Sequence, residues 1–373
     1  MTETLAEENA AIRPALDPTM VCRLSEYVQL YPENGVLIAE SLVTGRHIRL
    51  PNPGRVRVLL SFVTPVAVEN VIDAAPATVR AALGEFISLC LESGVLTQAD
   101  GTESAPSGNE VAALEAWERH DLAFHIRSRR GRSRFPLGAT WHLAGRLKEE
   151  PARRPPDPRV LQRIALERPQ LTCAEETWTL TRTLESRRTR YSVAPVPLAL
   201  LAELLYRCAR VTGTLGTDSE LTVQKVYPSG GARHSIQCYL VVERCEGLAR
   251  GGYRYDAFEH QLEYLRTPDA RLDQLLREAQ ASTGTLPDRP SVLIVLTSRF
   301  GRVSRKYQSN AYRLVLQEVG AIFQTFYLVA ETLGLSASAL GGGDSEQFSK
   351  AFGTDFFAEP SVGEMQVGGA PHG

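Results

Sequence analysis

Lysine and tyrosine stand side by side at Lys306-Tyr307, and Tyr312-Arg313 follows a few residues later. Both side chains can carry a proton, with ordinary pKa values near ~10, and either becomes a usable base near neutrality only where burial or a neighbouring charge lowers it. The run Ser304 to Arg313 leads into the apolar segment Leu314 to Leu335. There Leu316, Val319, Phe323, Phe326, Ala330 and Leu333 recur at three- and four-residue spacing, and Val315, Ile322 and Val329 widen the stripe. That periodicity predicts a buried helix, which would hold its preceding loop still. Taken alone, the loop reads either as a place where protons move or as a solvated basic turn ahead of a core helix.

A second candidate lies upstream. Tyr227-Pro228-Ser229-Gly230-Gly231-Ala232-Arg233-His234 joins the strand-like runs Leu221 to Val226 and Ile236 to Val242. Proline fixes one backbone angle, two glycines let the chain approach a flat ligand, and Ser229 offers a hydroxyl and an amide to ring heteroatoms. An interstrand turn is the other meaning of the same residues.

In this order and spacing the pieces resemble the SagB-type dehydrogenases, the flavin-dependent azoline oxidases of the nitroreductase superfamily. The resemblance covers about Leu184 to Gly363. It implies that Pro228, Ser229, Gly230 and Gly231 pack against an isoalloxazine ring and that Lys306 and Tyr307 are catalytic. It also implies that an arginine-rich element, here Arg187, Arg188 and Arg190, binds the flavin phosphate, as guanidinium forks suit a dianion. This element is one residue shorter than the family's, so no single arginine is assigned to the phosphate. Ser235-Ile236-Gln237 stands where the family commonly has Pro-Leu-Glu. Glu318, Gly320 and Gln324 read as a polar helix face near the ring. Gly341 and Gly342, ahead of a helical run Ser345 to Phe352, expose amides suited to a phosphate or form a plain loop. No P-loop spacing follows them.

The resemblance further implies FMN as cofactor, a homodimer with FMN at the subunit boundary, and oxidation of a thiazoline or oxazoline, peptide- or carrier-bound, to the azole. That reaction removes a hydride and a proton from adjacent carbons. No side chain stores a hydride, so a flavin takes it while Lys306 or Tyr307 takes the proton, and dioxygen is the final acceptor. A cyclodehydratase or assembly-line partner supplies the azoline. Dehydrogenation of another peptidyl or small substrate, quinone or nitro reduction with NAD(P)H, and a non-catalytic scaffold for a partner cyclase are the other readings.

A chain of 373 residues suffices for two or three domains with a full core. Lys plus Arg number 41 against 43 Asp plus Glu, which leaves no global basic footprint for nucleic acid. Six scattered cysteines, with no Cys-x-x-Cys pair, fit reduced thiols and no metal site. The acidic first residues lack an apolar core, and Gln317, Glu318, Gln324 and Glu331 interrupt the long apolar run. A cytoplasmic protein with no membrane span is expected.

The predicted fold class is α+β: a nitroreductase-like FMN domain with an antiparallel-centred sheet and buried helices, preceded by a small winged-helix-like domain. The N-terminal reading rests on strands at Leu24 to Leu30, Gly35 to Glu40 and His47 to Leu50, then helices at Arg55 to Phe62 and Pro76 to Ser93, then Val95 to Thr97. Such a unit either receives a leader peptide as an added strand or simply caps the rest. Expected boundaries are 1–105 for this domain, 106–175 for a connecting segment, 176–366 for the FMN domain and 367–373 for a disordered tail. Five arginines between Arg127 and Arg134 are expected to pack against the FMN domain. No Gly-x-Gly-x-x-Gly follows a strand, which argues against a Rossmann domain.

Overall fold

The computed structural model describes residues 16–99, 113–171, 178–216, 222–284 and 288–370. The chain divides into two compact units, Met1–Phe135 and Pro136–Gly373.

The first unit runs β1 (Val21–Leu24), β2 (Val28–Glu33), β3 (Val36–Ser41), β4 (His47–Leu50), α1 (Pro53–Leu60), β5 (Val66–Ala67), α2 (Val68–Asp73), α3 (Arg80–Glu92), β6 (Leu96–Gln98) and α4 (Arg119–Arg127). Its strands form two three-stranded sheets, β5-β1-β6 and β2-β3-β4. Leu24 to Leu30 is not one strand as expected. The Ser25 carbonyl accepts from Val28 N at 3.3 Å, and that turn splits the run into β1 and β2. Leu59, Phe62, Ile87, Cys90 and Leu96 are buried together in the core.

The arginine-rich segment finds partners inside this unit. Arg127 pairs with Glu40 at 2.7 Å, and Arg134 donates to Glu33 at 2.9 and 3.1 Å. Both guanidinium groups lie over the Tyr31 and Phe135 rings. Glu40 is 1 % exposed, and a buried carboxylate demands such partners.

The second unit begins with β7 (Gly138–Ala139), β8 (Gln162–Ala165), α5 (Leu180–Ser186), β9 (Val196–Pro197), α6 (Leu198–Ala209), β10 (Val211–Leu215), β11 (Thr222–Lys225) and β12 (Ile236–Val242). It continues through β13 (Cys245–Glu246), β14 (Gly251–Asp256), β15 (Gln261–Arg266), α7 (Ala270–Thr283), β16 (Val292–Ser298), α8 (Gly301–Ser304), β17 (Tyr307–Gln308), α9 (Ala311–Thr332), β18 (Ser336–Leu340), α10 (Ser345–Phe352) and β19 (Ser361–Gly368). Seven strands form one sheet in the order β18-β19-β16-β12-β14-β15-β8, and every neighbouring pair is antiparallel.

Period-two alternation along β12 decides which layer each side chain joins. Ile236, Cys238, Leu240 and Val242 face α6 and α9, with Val315, Ile322 and Phe326 contributed by α9. Tyr239 and Val241 face α7 and α10, with Leu272, Leu276, Phe348 and Phe352. The sheet is thus covered on both faces, and α9 is buried along the predicted stripe.

Two expectations about the margins are corrected. Residues read as connection supply β7 and β8, because β8 pairs with β15 and β7 with β17. The tail expected from residue 367 instead continues β19, where Val367 pairs with both Val292 and Ala337 and is fully buried.

Candidate functional site

The turn between β11 and β12 is closed by a short polar chain. Ser229 Oγ donates to Glu318 Oε2 at 2.9 Å and accepts from His234 N at 2.9 Å. Glu318 comes from the second turn of α9 and is 2 % exposed. His234 Nδ1 sits 3.8 Å from Glu318 Oε1. Among the described residues both of these atoms, and Tyr227 Oη, are buried without a hydrogen-bond partner. Such orphans are uncommon in a finished core and mark a place prepared for another polar group. Gly231 (φ 61°), Ala232 (φ 54°) and His234 (φ 41°) all take left-handed backbone, a strained run that its surroundings must hold in place.

Burial governs the charges here. It pushes the Glu318 carboxyl up, against the Ser229 hydrogen bond and the Lys225 charge, which pull it down. Burial, then the charges of Lys225 and Arg302, push His234 down to about 4, so its imidazole is neutral at pH 7. Lys225 is likewise lowered by burial. Lys225 and His234 line a cavity of about 430 Å³ together with Gln237 and Arg254.

Lys306 and Tyr307 meet this turn from the other side. A Cβ placed on Gly231 would collide with Tyr307 Oη and lie 2.8 Å from Lys306 Nζ, so only glycine lets both side-chain tips reach the turn backbone. On Gly230 it would lie 3.1 to 3.2 Å from the Leu314 side chain. Pro228 is exposed, while Ser229 and Gly230 are half-buried. The predicted ring-binding turn and the predicted proton-moving pair are therefore one place.

The segment before β8 locks that place together. Glu149 accepts from Arg233 of the turn at 2.8 Å and from Arg305, next to Lys306, at 3.0 Å. Burial pushes the Glu149 carboxyl up, but the Arg233 hydrogen bond and the surrounding arginine charges outweigh it and hold the group below its usual value. Neither Glu149, Lys225 nor the His234 imidazole was given a role from sequence. Only His234 carried a signal, its place within the Tyr227 to His234 run.

The arginine element lies at the other end of α9. Arg190 is an ion-pair partner of Glu331, with Nη2 to Oε1 at 3.2 Å. The Arg187 guanidinium lies 5.3 Å from the Tyr327 ring centroid. Arg188 donates to the carbonyls of Glu185 and Arg187 at 2.8 and 2.9 Å. Neither Arg187 nor Arg188 pairs with a carboxylate among the described residues. Glu318 and Glu331 are thirteen positions apart on one helix, about 20 Å.

The structure separates other residues that the sequence grouped. Gln324 and Gly320 are exposed whereas Glu318 is buried, and Gln324 points about 240° around the helix from Glu318, so they share no face. Gly341 and Gly342 precede a helix end already capped by Asp344, whose Oδ1 accepts from Gln347 N at 2.8 Å. Glu278, Asp344 and Glu364 line a cavity of about 230 Å³ with Gly342 and Gly343. Burial, then the charges of Glu278 and Asp344, push Glu364 up to about 7. A phosphate in that cavity would face three carboxyl groups.

Residues 184–368 match the model of the nitroreductase family, so the second unit carries a domain of that oxidoreductase family. Residues 22–134 match the model of the cyanobactin oxidase ThcOx. The chain is 32 % identical over 155 residues to the trifolitoxin-processing protein TfxB of Rhizobium leguminosarum bv. trifolii, covering 39 % of this chain and 41 % of that one. It is 28 % identical over 138 residues to the microcin B17-processing protein McbC of Escherichia coli, covering 36 % and 50 %. These matches span half or less of either processing protein. A chain of the E. coli microcin synthetase McbBCD complex with truncated pro-MccB17 bound is similar in structure, with 22 % identity, a TM-score of 0.41 and coverage of 72 % and 99 %. No helix among the described residues is long and apolar enough to cross a membrane.

Proposed function

We propose that this chain is an FMN-dependent oxidase that converts a thiazoline or oxazoline, carried on a peptide or a carrier protein, to the aromatic azole. The observation that carries the reading is the convergence of Lys306 Nζ and Tyr307 Oη on Gly231, in a turn whose Ser229 is tied to a buried carboxyl. The match to a cyanobactin oxidase and the likeness to two peptide-processing proteins support a peptidyl substrate.

The residues fit the cofactor. FMN, when bound, supplies the hydride acceptor that no side chain can provide. Ser229, Gly230 and Gly231 offer a hydroxyl and a close-approach backbone for a ring, with the orphaned Glu318 and His234 atoms behind them. Arg187 and Arg188, free of carboxylate partners among the described residues, are the guanidinium groups open to a phosphate. Lys306 or Tyr307 would take the proton from the substrate carbon, and Glu149 ties both walls of the site together through Arg233 and Arg305.

The Ser229 turn and the arginine element lie toward opposite ends of α9. The working unit is a homodimer with FMN at the subunit boundary. Leu316, Tyr312 and Leu180, all exposed on or beside α9, supply apolar surface for that contact. A cyclodehydratase-type partner supplies the azoline, and dioxygen is the final electron acceptor.

The test is direct. The purified protein should carry FMN, sediment as a dimer, and remove two hydrogens from a thiazoline peptide in air. A protein that gains no flavin absorbance with excess FMN refutes the reading. A flavin-loaded monomer refutes the shared site alone.

A further inference from the structure

Trp141 is the least expected residue beside the Lys306-Tyr307 pair. It is a bulky aromatic held at φ 56°, a region that L side chains rarely enter, and it remains 43 % exposed. An exposed indole gains little from burial. Backbone strain of this kind persists where surrounding contacts fix it, and it collects at functional sites.

Trp141 N donates to the Lys306 carbonyl at 3.1 Å, and Thr140 Oγ1 donates to Gln308 Oε1 at 3.0 Å. The two-residue ladder of β7 with β17 pairs Ala139 with Tyr307 and Gly138 with Gln308. Lys306 Nζ lies 5.4 Å from the indole centroid and 5.3 Å from the Tyr307 ring, and the Arg305 guanidinium lies 5.7 Å from the indole. The indole is thus registered to the proton-moving pair through backbone, and much of its surface stays open after both cations are placed.

We propose that Trp141 is a substrate-positioning residue: its open surface stacks on the planar five-membered heterocycle of the peptide and presents a ring carbon to Lys306 and Tyr307. The inference rests on the oxidase reading above. Stacking suits both ends of that reaction. The azoline is nearly flat, the azole is fully aromatic, and an indole is the largest π-surface a side chain offers. The adjoining cations keep a competing cationic side chain of the peptide off the same surface.

The experiment uses the FMN-loaded protein. The chain has three tryptophans, Trp117, Trp141 and Trp178, so a W117F/W178F background makes Trp141 the sole indole reporter. Titration with a thiazole-bearing peptide should quench its emission, whereas an unquenched Trp141 overturns the proposal. This readout does not require turnover, so it stays decisive even if the wild type fails to oxidise the thiazoline. In kinetic assays Trp141→Ala should raise KM and product Kd by about ten-fold at unchanged FMN content, with Trp141→Phe keeping most of the affinity. Wild-type KM and product Kd in Trp141→Ala would overturn it. So would a lowered kcat with a shifted pH profile at constant KM, since the indole would then act on Lys306 and not on substrate.

Discussion

The two ends of α9 carry the same kinds of residue to opposite purposes. At the N-terminal end Glu318 is sealed under Ser229 with one oxygen unpartnered, and burial dominates the titration of Glu318, Lys225 and His234. At the C-terminal end Glu331 is also buried, but Arg190 answers it and the arginine charge holds its carboxyl below the ordinary value despite burial. An unanswered carboxyl is poised to exchange a proton or a hydrogen bond. An answered one fixes a loop and leaves neighbouring cations free to hold a ligand. On the proposed assignment chemistry and anchoring need different degrees of satisfaction, and one helix supplies both.

The largest effect should come from the N-terminal end. Lys306→Ala removes a group that touches the turn without filling space in the core, so FMN content should hold while single-turnover azole formation falls by ~10²-fold or more. Tyr307→Phe keeps the ring and deletes the hydroxyl beside Gly231, and it should cost less. If both variants turn over normally, the proton leaves through another group. If both lose FMN, this end anchors the cofactor too and the contrast between the ends fails.

A smaller effect should come from the other end, in affinity and not in turnover. Each charge-assisted hydrogen bond to a phosphate contributes roughly 1.5–3 kcal/mol, so Arg187→Ala and Arg188→Ala should each weaken FMN binding by about 10- to 100-fold in a fluorescence titration. Arg190→Ala should behave differently. It strands the Glu331 carboxylate, which lowers the thermal midpoint while FMN affinity changes little. Equal losses of affinity in all three arginine variants would show that Arg190 leaves Glu331 when phosphate arrives.

The sequence made the cores legible and the polar traffic less so. The α9 stripe, the fully buried β16 and the alternation in β12 follow from burial, which period and composition report well. The convergence of the turn with Lys306-Tyr307 was expected from two motifs far apart in the chain. Trp141 and Glu149 were not, because both lie in a segment read as connection, and a two-residue ladder such as β7 with β17 leaves no periodicity to find. Two arginine-rich segments look alike in composition. Arg127 and Arg134 are paired with Glu40 and Glu33 while Arg187 and Arg188 are not, and only the fold distinguishes a satisfied cluster from an open one. Glycines before a helix suggested an anion site, yet the carboxyls of Glu278 and Glu364 come from distant strands and helices that composition does not bring together.

The smallest effect tests that last point and closes off a third place for the phosphate. Glu364 has a folded pKa near 7 against an ordinary carboxyl value of 4.5. Between those values the folded protein keeps a proton that the unfolded chain has lost, so stability falls as pH rises from about 4.5 to 7 and is flat above. Glu364→Gln removes the loss. Because the adjoining cavity of about 230 Å³ can admit water that eases the repulsion, the gain at pH 8 should be roughly 1 kcal/mol, about 2–4 °C in thermal midpoint, with little change near pH 4.5. FMN affinity should not move if, as proposed, the arginines hold the phosphate. Tighter FMN binding in Glu364→Gln would return the phosphate to the glycine loop, and the anchoring role of the C-terminal end of α9 would go with it.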